Sequence, residues 1–395
     1  MSSTFSSSNF PRRPIGCLVS IPFGSKTGFA IAPLEKLFLE IGAIITGSLS
    51  SVHFSYSSLD EGVPSALPEN FANVITFDPK DLDPSRLRKV AEYVAQKNID
   101  LVIFLDMQPS HPILKYLRKA GVKTAISYWG APISSIMPWW KLLIKRALLR
   151  LDRHKLNLLI FESHAMAKFA ILGRGVSARS VEIVPLGIDT TIFHPKKNGY
   201  LQTSLKIPSD KKVIFYSGHM EHRKGVAVLI NAAVTLLTER NRKDLFFLIC
   251  GNRPGEETVF RSLYEGRGID ESISFAGYRN DIPDIIPECL CGVIPSIGWD
   301  SFPRTALEIQ ASGIPIIGSR LDGIPETMVD GETGYLFEPG NSSALADIIS
   351  KLADDESLTK KLGGNARRRI ESELSITAQR NRLLQVVSEI VAKSH

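Results

Sequence analysis

Lys224, Asp300 and Glu308 are the residues of this 395-residue chain whose types and surroundings could do chemistry. Lys224 and Arg223 follow the apolar run KVIFYSG (212–218), where Gly218 would let backbone approach a ligand closely. A helix starting there adds free N–H groups and a positive dipole end, which suits an anionic group. Read alone, the two bases could equally be a solvated charge pair. Glu308, early in a helix, could accept bonds from two vicinal hydroxyls, or pair with Arg304 at i,i+4. On one helix, Asp300 and Glu308 would stand about 12 Å apart. Glycoside hydrolysis needs carboxylates roughly 5–9.5 Å apart, so the spacing argues against it unless Asp300 lies in a loop.

Other motifs point elsewhere. Asp81-Leu82-Asp83 mimics a metal-binding DxD, but Pro84 follows, which suits Asp83 as an N-cap with Pro at the first helical position. SIPFGSKTGFA (20–30) holds Gly24, Lys26 and Gly28. It is neither a P-loop, since Lys26 precedes the second Gly, nor a GxGxxG fingerprint. An ordinary turn and a ligand-facing loop both fit it. No His/Cys cluster suggests a metal, and no metal or cofactor is expected.

These residues need elements to hold them. IGCLVSI (15–21), AIIT (43–46), NVITF (73–77), DLVIFL (100–105), KTAISY (123–128), LNLLIF (156–161) and VEIVP (181–185) read as strands, with helix-like PLEKLFLEIG and PSRLRKVAEYVAQKN among them. KVIFYSG, LFFLICG (245–251), SISFAG (272–277), CGVIPS (291–296) and IPIIGS (314–319) form a second set. Helices are expected over KGVAVLINAAVTLLTER, DIPDIIPE, RTALEIQAS, 341–354 and 357–373. Continuous apolar runs between helices predict parallel sheets covered on both faces. The expectation is α/β: a frayed tail over 1–13, doubly wound domains over 14–190 and 191–375, and a helix over 376–395 folding back on the first. PLGIDTTIFHPKKNG (185–199) reads as the linker, and ligands are expected at the strand ends.

Composition excludes several classes. At 44% hydrophobic and 22% charged, the chain is neither mainly disordered nor collagen-like. No uncharged apolar run reaches the roughly 18 residues a helical span needs. The polar start lacks the apolar core of a secretory signal. Cys17 and Cys250 sit in apolar runs, and Cys289 and Cys291 match no usual zinc or redox spacing. A cytosolic location is the simple reading. Up to Asp189 there are 22 Lys+Arg and 15 Asp+Glu (+7), against 25 and 26 (−1) beyond it. The basic half suggests an anionic partner, but no nucleic-acid motif appears. MPWWKLLIKRALLRLDRHKL (137–156) sets two Trp beside a basic amphipathic helix. Peripheral contact with an anionic membrane face and a core-facing helix with a solvated basic face both fit.

The segment PSIGWDSFPRTALEIQASGIPIIGSRLDGIPETMVDGETGYLFEPGN (295–341) resembles the donor-binding signature of the family-4 retaining glycosyltransferases, whose fold is GT-B. VPLGIDTTIFHP (184–195), YSGHMEHRKGVAVLINA (216–232), FLICGNRPGE (247–256) and FAGYRNDI (275–282) resemble its upstream motifs in order. The match covers about residues 156–375 and is weak in the first half. It implies two Rossmann-like domains facing a central cleft, the first for acceptor and the second for donor.

The resemblance also implies roles. Lys224 contacts the diphosphate, Glu308 grips the donor ribose, and Asp300, replacing the usual Glu, meets sugar hydroxyls. His219 stands where Arg is usual; it can donate a hydrogen bond but lacks Arg's bidentate fork. Pro303 replaces a Gly and has no N–H, leaving a phosphate to Arg304 and the amides of Arg304 and Thr305. Gly218, Arg223, Asn252, Ser296 and Phe302 complete the implied donor site, with base contacts near Tyr278 and Arg279. By analogy Gly24 lies in a loop facing diphosphate and acceptor. Where the family often has a His, ISYWGAP (126–132) offers Tyr128, Trp129 and Gly130 as an aromatic acceptor wall, with His111 nearby.

The implied activity is metal-independent, retaining transfer from a nucleoside diphosphate sugar to an acceptor hydroxyl, the acceptor being a glycan, lipid-linked or a small molecule. A nucleotide-sugar epimerase on the same fold and a non-catalytic sugar-nucleotide-binding protein are the alternatives.

Overall fold

The computed structural model describes residues 13–25, 31–60, 62, 64 and 66–394. The chain forms two compact units, Met1–Val184 with Arg380–His395, and Pro185–Gln379.

The first unit is a seven-stranded parallel sheet in the order β3-β2-β1-β4-β5-β6-β7. Its strands are β1 (Gly16–Gly24), β2 (Val52–Ser58), β3 (Val74–Thr76), β4 (Ile99–Leu105), β5 (Thr124–Trp129), β6 (Leu158–Phe161) and β7 (Val181–Ile183). Helices α1 (Ile31–Thr46), α2 (Pro84–Gln96), α3 (Pro112–Lys119), α4 (Trp139–Leu151) and α5 (His164–Gly173) connect them. All seven residues of β4 are buried, as a strand covered on both faces requires. Asp83 caps α2, accepting from Ser85 N at 2.7 Å, with Pro84 at the first helical position.

The AIIT tetrad corrects the sequence reading: it is the last turn of α1, not a strand. Leu37, Phe38, Ile41 and Ile45 are buried at helical spacing, and that period outweighs the β-branched pair. The strand in its place is β2, whose serines and histidine disguise it. Val52, Phe54 and Tyr56 are buried together, and His53 Nδ1 is 2.8 Å from Tyr93 Oη.

The second unit is a six-stranded parallel sheet, β10-β9-β8-β11-β12-β13. Its strands are β8 (Lys212–Ser217), β9 (Leu245–Cys250), β10 (Ile273–Phe275), β11 (Cys291–Ile294), β12 (Ile316–Ser319) and β13 (Gly334–Phe337). The helices are α6 (Tyr200–Thr203), α7 (Val226–Val234), α8 (Thr258–Arg261), α9 (Ile282–Ile285), α10 (Arg304–Ala311), α11 (Ser342–Asp354), α12 (Glu356–Glu373) and α13 (Ile376–Ser394). The units divide after Val184 rather than after residue 190, because the stretch that follows is held in the second. Ile188 N donates to Leu374 O, and Ile376 N to Ile188 O, both at 2.9 Å. From Arg380 on, α13 belongs with the first unit. Leu383, Val387 and Val391 lie in its core, and Arg382 meets Glu182 at 3.0 Å.

Each sheet has one place where the chain stops building in one direction and starts in the other: between β1 and β4, and between β8 and β11. Ligands of open parallel sheets bind outside the strands' carboxyl ends at such points.

Candidate functional site

In the second unit the loops after β8 and β11 come together at the switch point. Lys224 ends the 3-10 turn His222–Lys224 and donates from Nζ to Asp300 Oδ2 at 2.7 Å. Ser296 Oγ donates to the same oxygen at 2.9 Å, and the Asp300 carbonyl accepts from Gly323 N at 3.1 Å. The side chains of Lys224 and Asp300 are only 18% and 6% exposed, so the pair interacts in a partly desolvated setting. Asp300 lies in the loop before α10, so a helical rise does not set its separation from Glu308.

Gly225, next to Lys224, has φ +70°, and a Cβ there would fall 1.8 Å from Pro295 O. Only glycine lets the two loops touch and start α7 at the same point. Gly251 does the same between β9 and β8: φ is +104°, and its Cβ would meet Gly218 O at 2.3 Å.

The remaining residues divide by what holds them. Arg223 stacks on Trp299 at 4.1 Å and donates to Trp299 O at 3.0 Å and Glu221 Oε2 at 2.6 Å. Its guanidinium thus braces the β11 loop. Pro303 caps α10 without a side-chain bond, leaving the first amides of that helix, Arg304 and Thr305, without an intrahelical partner. Thr305 Oγ1 donates to Ser217 O at 3.3 Å. Arg304 Nε meets Glu308 Oε1 at 3.3 Å, the i,i+4 pairing weighed above. Burial pushes the Glu308 carboxyl pKa up and Arg304 opposes it.

Asn252 ties two loops together, accepting from Gly277 N at 2.8 Å and donating to Glu257 Oε2 at 3.1 Å. Tyr278 is 66% exposed beside them. Arg279 is held bidentately by Asp281, which also accepts from Tyr200 Oη at 2.5 Å. His219 is exposed, and its carbonyl accepts from Tyr216 Oη at 2.9 Å. Phe302 corrects the sequence reading: it is 2% exposed within the apolar core beside α10, so its ring offers no ligand surface.

At the other switch point, Gly24 ends β1, while Lys26 and Gly28 lie outside the described residues. Two corrections apply. Tyr128 is fully buried, edge-to-face with Phe38 at 5.7 Å, and Trp129 is 6% exposed with Nε1 bound to Met107 O at 3.1 Å, so neither forms an acceptor wall. His111 Nδ1 caps α3, accepting from Ile113 N at 3.3 Å.

What the sequence reading missed there is Asp106. It follows β4 with φ +56°, and its Oδ1 is buried with no hydrogen-bond partner among the described residues, as is Ser25 Oγ just after neighbouring β1. The Gly130 amide donates to its carboxylate, but burial pushes the pKa to about 6. A second buried carboxylate is close: a Cβ on Gly130 would lie 3.2 Å from Glu162 Oε1. The one sequence signal was an acid directly after the apolar run LVIFL (101–105).

A raised carboxyl pKa favours the protonated native form, so folding is penalised as pH rises from the unfolded value of 3.8 through about 6. Asp106→Asn is therefore expected to be more stable than wild type at pH 8, by about 2–3 kcal/mol for a shift of about two units, and equal at pH 4. Thermal melts at both pH values check this, and an unchanged difference between them would refute it. Among the described residues, no group of three His, Cys, Asp or Glu is placed to hold a metal, and no helix is long and apolar enough to cross a membrane. The four cysteines are buried and free.

Residues 201–369 match the family model described as glycosyl transferases group 1. The chain is 29% identical over 194 residues to a D-inositol 3-phosphate glycosyltransferase of Corynebacterium glutamicum, covering 47% of this chain. It thus spans about half the length of such relatives, 46% in that case. It is 24% identical over 342 residues to the N-acetyl-alpha-D-glucosaminyl L-malate synthase of Bacillus anthracis, covering 83% of this chain and 86% of the relative. An Anabaena HepE structure in complex with UDP superposes with TM-score 0.75 at 18% identity, covering 95% of this chain and all of that one. The fold is GT-B, as the resemblance implied.

Proposed function

We propose, from the match of residues 201–369 to the glycosyl transferases group 1 model, that the chain moves a sugar from a nucleoside diphosphate sugar to an acceptor hydroxyl, with retention and without a metal. The observation that carries this reading is the Lys224–Asp300–Ser296 cluster at the β8/β11 switch point. A fixed ammonium there can stabilise a departing diphosphate, supported by the amides at the start of α10. Asp300, oriented by Lys224 and Ser296, keeps acceptor capacity for sugar hydroxyls. Glu308 at the base of the same loop suits a ribose diol. UDP or GDP is the expected carrier.

The acceptor belongs to the first unit. Asp106, whose Oδ1 at the β1/β4 switch point has no hydrogen-bond partner among the described residues, suits a hydroxyl donor. A glycan, a lipid-linked sugar and a small polyol all present that group, and a cytosolic site of action fits each.

The experiment is calorimetric binding of UDP, GDP and ADP, followed by transfer assays with sugar forms of whichever binds. Anomeric NMR of the product tests retention, and activity in EDTA tests metal independence. Binding of none of the three would overturn the reading. His219, exposed and outside the cluster, has a smaller part. His219→Ala is expected to lower kcat less than about tenfold, the size of one hydrogen bond, and His219→Arg to match or exceed wild type. A loss of a hundredfold in His219→Ala would give His219 a central role instead.

A further inference from the structure

Helix α4 is built the wrong way round for a helix whose only task is packing. Leu142 is its one buried residue. At 3.6 residues per turn, Leu143, Trp140, Leu151, Ile144 and Leu148 fall on one arc of about 140° centred opposite Leu142. Those five are 54%, 50%, 77%, 54% and 58% exposed. Trp139, just before them, is 73% exposed and Ile136 50%. The core cannot account for this stripe, because it points away from the core. It is also contiguous, whereas apolar residues on a soluble surface are usually scattered singly.

Basic residues border the stripe on both sides. Lys141 and Lys145 lie along one edge, Arg146 and Arg150 along the other, all exposed. Lys141 Nζ sits 5.1 Å from the centre of the Trp140 ring. Across 137–156 six Lys and Arg face one acid, Asp152, and its carboxylate accepts from Ser110 Oγ and from His154 N. The helix is firmly seated: Gly175 has φ +76°, and a Cβ there would lie 2.9 Å from Arg146 N. A rigid apolar ridge between two basic edges is therefore presented to the outside.

We propose that α4 docks this protein on an anionic phospholipid surface, its apolar ridge entering the headgroup region. The basic side chains along both edges reach lipid phosphates while their stems cover apolar surface. Charge decides between this and a second copy of the chain. Pairing two α4 ridges would bring two strongly basic segments face to face, whereas an anionic surface neutralises both edges at once. The inference is independent of the transfer reading, since it concerns a surface distinct from Lys224 and Glu308.

The test uses the full chain and vesicles of phosphatidylcholine, alone or with phosphatidylglycerol. Flotation with the anionic vesicles is expected, falling at least tenfold without phosphatidylglycerol or at 0.5 M salt, with a blue shift of tryptophan emission on binding. The triple variant Leu143→Ser, Ile144→Ser, Leu148→Ser changes only exposed positions, so its melting curve should match wild type while flotation falls at least tenfold. Lys141→Glu with Lys145→Glu should lose binding to anionic vesicles as well. No flotation of the wild type overturns the proposal, as does binding that survives the triple variant. A concentration-dependent dimer that the triple variant dissolves would also overturn it, making the ridge an interface between copies.

Discussion

Lys224→Ala is expected to lower the transfer rate by about 10²–10³-fold, the cost of removing one preorganised charge stabiliser from a partly desolvated site. Lys224 is spent on Asp300 in the unliganded protein, at 2.7 Å, and a diphosphate would share that ammonium. The substitution also leaves Asp300, 6% exposed, with Ser296 as its one remaining side-chain donor among the described residues. Breaking a fully buried pair costs about 3–5 kcal/mol. Lys224 is partly open to water, so we expect a stability loss of about 1–3 kcal/mol. Two controls separate the effects. Asp300→Asn keeps the Ser296 contact and loses the ion pair, and the double variant Lys224→Ala with Asp300→Ala measures the coupling. If Lys224→Ala turned over within threefold of wild type, the ammonium would be structural only.

Glu308→Ala should weaken binding of the preferred nucleoside diphosphate about 10–100-fold, the equivalent of losing hydrogen bonds to a charged acceptor. The structure makes the competing outcome concrete, because Glu308 already holds Arg304 at 3.3 Å. Were that pairing its whole role, Glu308→Ala would shift the melting temperature while leaving nucleotide affinity unchanged. Glu308→Gln refines the test: it retains size and one acceptor, and should fall between Ala and wild type in affinity. A 2′,3′-dideoxy nucleotide should bind Glu308→Ala and wild type equally well if the ribose diol is what Glu308 meets.

Some of this was legible along the chain and some was not, and the difference follows the range of the interactions. Buried parallel strands announce themselves as apolar runs, so β1, β4, β5, β6, β8 and β9 could be read directly. The Asp83-Pro84 helix start could be read because cap and helix are adjacent. The AIIT tetrad misled because β-branched residues signal strand locally, while the buried stripe that made it helical began at Leu37. The alternating Ser and His of β2 hid a strand whose one face packs on α1 and α13 and whose other meets α2 through His53 and Tyr93.

By itself the sequence determined the fold class, the two-unit division in outline and the residue types of the candidate site, because these depend on periodicity and on motifs of a few residues. The tertiary structure alone decided which of those residues meet. Lys224 and Asp300 are 76 positions apart, and their contact exists only because β8 and β11 are neighbours and Gly225 lets their loops touch. The same holds for Arg223, committed to Trp299, for Phe302, withdrawn into the core, and for Asp106, whose buried oxygen no local pattern reveals. A side chain's type is written in the chain, but its partners and its exposure are set by what the sheet brings beside it.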